Sequence, residues 1–397
     1  MTTTASSERA TLAQPIFAGI LAALVGFASS FAIVLQGLNT VGATPGQAAS
    51  GLFALCLGIA VVGIGLSLIT RMPVAVAWST PGAALLIATG AIEGGFPAAV
   101  GAFLVSAALI VVAGLWRPFG RAVAAIPMPL ASAMLAGILF NLCLAPVRAM
   151  AEMPLLALPI VLAWAVTLRI ARLWAVPVAV VVAGIIIAVA TPLPDWALGD
   201  IWPAPTFVMP VFTLDAVVGI ALPLFIVTMA SQNIPGLTVL RSNGYNPAVS
   251  PLFVSTGIVS GFAAFFGGHV VNLAAITAAL CAGPEAHPDP ARRYVASLTT
   301  GIAYIFIAIG AGFAAAFVAA APPILIEAVA GLALLSSLAA ALVAAMSEEK
   351  TRLPAVVTFV TAASGLSVAG VGAAFWGLVA GGALMALDGF GRSQAQE

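Results

Sequence analysis

Charge is what this chain has least of. Charged residues occupy 7% of its 397 positions, against about 25% in an ordinary soluble domain, while hydrophobic residues reach 62%. That composition excludes a water-solvated globule and describes a chain solvated by lipid. The 13 basic and 13 acidic residues cancel to +0, so no field of either sign argues for nucleic acid or another polyion as a partner. Cys56, Cys143 and Cys281 stand singly in apolar stretches, which excludes a disulfide framework and a site of spaced thiols. They read as small core- or lipid-facing residues. A membrane enzyme would need clustered titratable or metal-binding side chains. With 2 histidines, 3 cysteines and few acids, neither an enzyme nor a cofactor or metal is expected.

Long apolar runs are what remains. A spanning helix needs about 20 apolar residues, and cutting the chain at glycine, proline and charged clusters gives fourteen candidate spans. The first seven are 15–38, 46–69, 73–91, 96–115, 119–145, 153–169 and 174–191. The second seven are 212–238, 247–266, 268–283, 293–319, 322–345, 352–368 and 371–388. The 352–388 stretch also admits one long helix with a tail, because Ser364-Gly365 and Gly370-Val371-Gly372 are its only punctuation. Residues 1–14 are polar and show no cleavable signal pattern, so the first apolar run is expected to be a retained span.

Basic residues test the count, because cytoplasmic loops collect them. With the N-terminus inside, Arg9, Arg71, Arg117, Arg121, Arg169, Arg172, Arg241, Arg292, Arg293, Lys350, Arg352 and Arg392 all fall on the cytoplasmic side. Arg148 alone does not. Both termini are therefore expected to be cytoplasmic, and the 192–211 loop, with Asp195 and Asp200, lies outside. Seven is odd, so the second half enters the membrane inverted relative to the first. Weak self-similarity agrees: Ala28-Ser29 with Gly42-Ala43-Thr44-Pro45 matches Ala230-Ser231 with Gly244-Tyr245-Asn246-Pro247, and a slightly smaller offset pairs Thr80 with Asn272 and Glu93 with Glu285.

Two spans are broken at their centres. In 75–85, a short extended run meets Ser79 and Thr80 and is followed by an Ala-rich helical run. In 267–277, the same order is centred on Asn272. Paired interruptions in corresponding halves mark a transporter's substrate site. The third span runs outward and the tenth inward, so both half-helices present their positive N-terminal ends to one central point. Pro81 fits a first helical turn; the rival reading is a packed proline kink.

The strings AWSTPGAALL (77–86), ASQNIPGLTVLRSNGY (230–245) and GGHVVNLAAITAALCAGPEAHPDPARRY (267–294) resemble the benzoate/proton symporter (BenE) family of bacterial inner membranes. The resemblance covers nearly the whole chain. That family is similar in turn to the uracil and nucleobase transporters, whose fold implies an all-α membrane protein of fourteen spans in a 7+7 inverted repeat, with a short strand and half-helix in spans 3 and 10. It implies a core bundle, here 1–115 and 212–320, and a gate bundle, 116–211 and 321–397. A homodimer is suggested by the relatives alone. Where nucleobase carriers use acidic residues on the eighth and tenth spans, this chain has Ser231-Gln232-Asn233 and Asn272. Amides and hydroxyls suit an anion that carboxylates would repel, so the expected cargo is benzoate, an aromatic carboxylate, moved with a proton.

Polar residues inside spans are costly and each needs a role. Ser29, Ser30, Ser79, Thr80, Gly82, Ser231, Gln232, Asn233 and Asn272 are candidates for the substrate site. Helix–helix hydrogen bonding is the rival role for the amides, and back-bonding to their own helix is the rival for Ser29 and Ser30. Trp78 either walls the substrate ring or only packs. His269, expected just before the tenth-span half-helix, is the first candidate for the proton. A benzoate carboxylate would stabilise its imidazolium, and the pair would cross as a neutral unit. Glu327, about two turns into the twelfth span, and Asp215, near the outer end of the eighth, are the rivals. His287 reads as a solvated loop residue. A passive anion channel built on the same opposed helix ends is the rival to a symporter.

Overall fold

A computed structural model describes residues 3–116, 118–120, 127–190, 204–274, 276–368 and 371–394. Arg117, Arg121, Asp195 and Asp200 lie outside the described residues, as do the side chains of Glu8, Arg9 and Arg392. The chain is mostly helical. Each of the fourteen segments expected to span contains helix, and among the described residues seven helical stretches are long and apolar enough to cross a bilayer.

The first half runs α1 (Thr3–Ala28), α2 (Phe31–Thr40), α3 (Pro45–Thr70), β1 (Val76–Trp78), α4 (Thr80–Thr89), α5 (Gly95–Leu115), α6 (Met128–Cys143), α7 (Ala145–Glu152), α8 (Pro154–Ile170) and α9 (Ala175–Ala190). The second runs α10 (Leu214–Ser242), α11 (Val249–Ala264), β2 (Val271–Leu273), α12 (Ile276–Ala282), α13 (Tyr294–Ile309), α14 (Ala311–Ala320), α15 (Pro323–Ala345), α16 (Arg352–Ala363), β3 (Ser367–Val368), β4 (Val371–Gly372) and α17 (Ala373–Gln394).

Local chemistry sets the boundaries. Thr44 and Gln47 close a capping box around the start of α3, with Pro45 in the first turn. Arg71 ends α3 in the left-handed region at φ 55. Its guanidinium then lies 4.9 Å over the Tyr294 ring and donates to the Tyr294 hydroxyl. The helix of the first span is interrupted at Ser29-Ser30, and the eleventh span bends by 56° at Gly310.

Residues 352–388 form two helices rather than one. The β3–β4 hairpin, started by Gly365 at φ 67, folds α17 back on α16. His287 is buried, not solvated: its Nδ1 accepts the Asp289 N–H at 3.0 Å. The loop is compact because Arg293, itself buried, donates to the carbonyls of His287 at 2.6 Å and of Ala282, the last residue of α12, at 2.9 Å. The three cysteines are free and buried.

Packing pairs elements across the halves: α3 with α13, α5 with α11, and α6 with α15. Within the halves α8 packs on α9 and α16 on α17. Exchanging the halves exchanges α3·α13 with α11·α5, returns α6·α15 to itself, and exchanges the two hairpins. Leu155, Val189, Phe262, Phe306 and Val343 stand largely exposed on the outer helices, a surface that only lipid makes inexpensive.

Candidate functional site

The two interrupted spans meet. β1 and β2 pair antiparallel with Val76 opposite Leu273, Ala77 opposite Asn272 and Trp78 opposite Val271. The ladder is extended by Ser79 N–H to Val270 C=O at 3.2 Å and Ala274 N–H to Ala75 C=O at 2.9 Å. Because the strands run oppositely, the half-helices α4 and α12 leave opposite ends of the ladder, each with its N-terminus toward the ladder.

Ser79 caps α4. Its hydroxyl oxygen accepts the Gly82 N–H at 3.1 Å and the Thr228 hydroxyl at 2.9 Å, which leaves its own proton uncommitted. Pro81 has no N–H, so Thr80 carries the first-turn backbone donor that has no acceptor among the described residues. The Asn272 amide satisfies its neighbours when Oδ1 accepts the Ser79 N–H at 2.9 Å and Nδ2 donates to the Leu273 carbonyl at 2.8 Å. Asn233 reaches across from α10 to accept the Leu273 N–H at 3.0 Å.

The eighth-span residues sit in a π-helical turn, Met229–Asn233, inside α10. An inserted turn of this kind re-aims side chains and recurs at functional sites. Ser231 bonds back to the Val227 carbonyl at 2.6 Å and Asn233 is fully buried. Gln232 is half-buried, and its amide has no hydrogen-bond partner among the described residues. Gly236, one turn on, lets α10 approach the ladder: a Cβ there would stand 2.8 Å from the Ala274 carbonyl oxygen and from Leu273 Cβ.

The structure brings Ser79, Thr80, Gly82, Asn233 and Asn272 together, with Ser231 and Gln232 on the adjoining turn. Other candidates lie apart. Ser29 and Ser30 both donate to the Gly26 carbonyl, at 3.1 and 3.0 Å, and Ser30 also accepts the Trp78 indole N–H at 2.9 Å. Trp78 alternates with Ala77 and Asn272 onto the other face of the ladder. It is buried edge-on between Phe27 and Tyr304, each with ring centroids 5.9 Å away, so its ring packs the scaffold.

His269 precedes the strand β2 rather than the half-helix α12. It is fully buried, edge-on to Phe103; its Nδ1 accepts the Val270 N–H at 2.7 Å and its Nε2 has no partner. Asp215 is exposed in the first turn of α10, about 25 Å along the helix from Gln232 at 1.5 Å per residue. Glu327 lies little more than one turn into α15 and accepts from Gln36 Nε2 on α2 at 3.1 Å. Gln36 was not among the expected residues. The signal was present, since it is an amide within an apolar run. Of the expected site residues near the ladder, none is acidic, and among the described residues no group of three or more His, Cys, Asp or Glu is placed to hold a metal.

The profile of the BenE family, benzoate membrane transport protein, matches residues 10–387. The chain belongs to the BenE family. Two relatives align over 92% of the chain. One is the Escherichia coli (strain K12) inner membrane protein YdcO, 41% identical with 94% of its length covered. The other is the benzoate membrane transport protein of Acinetobacter baylyi, 33% identical with 92% covered. The fold is shared more widely. The transmembrane domain of the cyanobacterial bicarbonate transporter BicA superposes with a TM-score of 0.61 at 15% identity, over 94% of this chain and 97% of that one. SLC26A9 superposes at 0.67 and 16% identity, over 96% of this chain and 65% of that one. This BenE protein is a multi-pass membrane transporter.

Proposed function

We propose that this BenE protein imports benzoate together with a proton across the bacterial inner membrane. The observation that carries the reading is the antiparallel β1–β2 ladder, with the capped start of α4 beside it and amides where a carrier of neutral bases would need acids. The donors left for a carboxylate there include the Thr80 N–H and hydroxyl, the Ser79 hydroxyl and the Gln232 amide. The α4 N-terminus adds roughly half a positive charge. Asn272 and Asn233 spend their hydrogen bonds on Ser79 and Leu273, so their part is to hold the ladder, and hence those donors, in place.

The rest of the architecture follows as a proposal. Fourteen spans form a 7+7 inverted repeat with both termini cytoplasmic. The exchange-symmetric packing supports the repeat. The clustering of Arg71, Tyr294 and the 283–293 loop at one end, with Arg148 at the other, supports the topology. Residues 1–115 and 212–320 form the core that carries the ladder, and residues 116–211 and 321–397 form the gate against which it moves; a homodimer is carried by family likeness only. The proton is held by His269, Glu327 or Asp215.

Uptake of radiolabelled benzoate into proteoliposomes, with and without an imposed pH gradient, tests the reading. Saturable accumulation that follows the gradient, with acidification of the lumen, supports symport. A weakly saturating current without accumulation identifies a channel. Accumulation of a nucleobase or another small organic anion in preference to benzoate replaces the substrate.

A further inference from the structure

At the end of the molecule that carries Arg148, α2 and α4 stand apart from α6, α7 and α15 around a cavity of about 230 Å³. About 10–15 Å³ is enough to hold one water, so the cavity brings water to its walls. Those walls carry three unusual side chains. Glu327 projects from α15 and accepts the Gln36 Nε2–H from α2. Gln36 keeps its Oε1 buried and without a partner. Arg148, the basic residue that breaks the loop pattern, is exposed on α7 with no acceptor among the described residues.

We infer that this cavity is where the transported proton is loaded: Glu327 takes it from water, with Gln36 as its positioning partner and Arg148 as the cation of the same cavity. The inference rests on the proposed symport and on the topology that makes this end periplasmic. A glutamine amide can serve both states of a carboxyl group. Its Nε2–H donates to ionised Glu327, as observed, and after an amide turn the unpartnered Oε1 accepts the O–H of protonated Glu327. The proton moves from hydronium in the cavity to a carboxylate oxygen, leaving water, and no other bond changes.

Geometry links that proton to movement. Gln36 and Glu327 belong to the proposed core and gate, so the cavity between them must empty as the two slide together. Closing over an ionised carboxylate removes its water at high cost, whereas a protonated, hydrogen-bonded carboxyl closes cheaply. Arg148 is the cation on the same cavity wall, and in this proposal it draws an anionic cargo toward that opening. Of the elements packed on α15, α2 brings Gln36, α6 brings Asn141 and α7 brings Arg148. The cavity residues from α4, α16 and α17 are uncharged, and α8 and α9 bring no charged group to it. His269 is enclosed against Phe103 and does not line this cavity, which is why we place the proton on Glu327.

Two measurements on purified full-length protein decide the matter. Infrared titration without substrate is expected to show a carboxyl band growing as pH falls, absent in Glu327→Gln and displaced in Gln36→Ala. Its presence unchanged in Glu327→Gln overturns the inference whether or not benzoate is the cargo. In proteoliposomes, Glu327→Gln is expected to keep labelled-benzoate exchange at equal pH but to lose gradient-driven accumulation, by about tenfold per pH unit imposed. Glu327→Asp restores part of it with a shifted pH profile, and Arg148→Gln raises KM. Accumulation kept in Glu327→Gln and lost in His269→Gln also overturns the inference. Failure of the wild type to take up benzoate overturns the substrate reading instead, and leaves the infrared band to decide the role of Glu327.

Discussion

Asn272 shows how one residue can be both structural and selective. Its amide accepts from Ser79 N–H and donates to the Leu273 carbonyl, tasks that an aspartate performs only by half. Asn272→Asp sets a carboxylate oxygen against a carbonyl, a loss of about 1–3 kcal/mol, and adds a negative charge beside the proposed carboxylate seat. We expect the variant to remain folded in thermal unfolding yet to abolish benzoate uptake. Uptake that survives unchanged would remove Asn272 from the site. Gln232 makes the contrasting case, because its amide is spent on nothing in the fold. Gln232→Ala should leave the unfolding temperature within a degree or two of wild type. It should weaken benzoate binding roughly tenfold or more, the usual worth of a hydrogen bond to a charged group at about 1.5–3 kcal/mol. Equilibrium binding by scintillation proximity measures it directly.

At the level of elements, the broken spans were legible because their chemistry is local. Ser79 caps, Pro81 starts a helix, and an extended run precedes both. The division of 352–388 was legible only in part: Ser364-Gly365 and Gly370-Val371-Gly372 separate the two spans counted there, but one long helix stayed open as the alternative, because the turn depends on α17 finding α16 to pack on. The π-turn at Met229–Asn233 was hidden for a similar reason: one extra residue in a turn leaves apolar periodicity almost unchanged. The burial of His287 was missed because Arg293 supplies tertiary partners that composition cannot show. The half-helix start itself gives a test. A Cβ at Gly82 meets Leu224 and, at 2.8–2.9 Å, the Ser79 side chain, whereas at Gly310 it meets only the Ile307 carbonyl oxygen at 3.4 Å. Gly82→Leu should therefore abolish binding by displacing Ser79 from the α4 cap, and a bulky replacement of Ala274, beside the ladder, should act alike. Gly310→Leu should bind nearly as wild type. Equal losses at all three positions in a binding assay would mean that packing, not the site, is being measured.

For the whole molecule the question is what moves. The ladder ties α4 to α12 through backbone bonds, and Asn233 ties it to α10, so these elements form one body with the site inside it. The proposed gate elements α6, α7 and α15 meet that body across a cavity lined by residues of both, where few bonds need breaking for one to slide on the other. The Gln36–Glu327 hydrogen bond crosses this boundary. Cysteines at these two positions, joined by a bifunctional thiol reagent longer than a disulfide, would clamp the bodies in the present arrangement. The native cysteines are all buried, so the reagent should act at the introduced pair. Because Gln36→Cys/Glu327→Cys removes the carboxyl, the readout is benzoate exchange at equal pH, which needs movement but no net proton transfer. Exchange should stop on cross-linking and return when the reagent is cleaved, while binding to the clamped protein persists. Exchange that continues at its former rate would mean that the site is reached without relative movement of the two bodies, as in a channel.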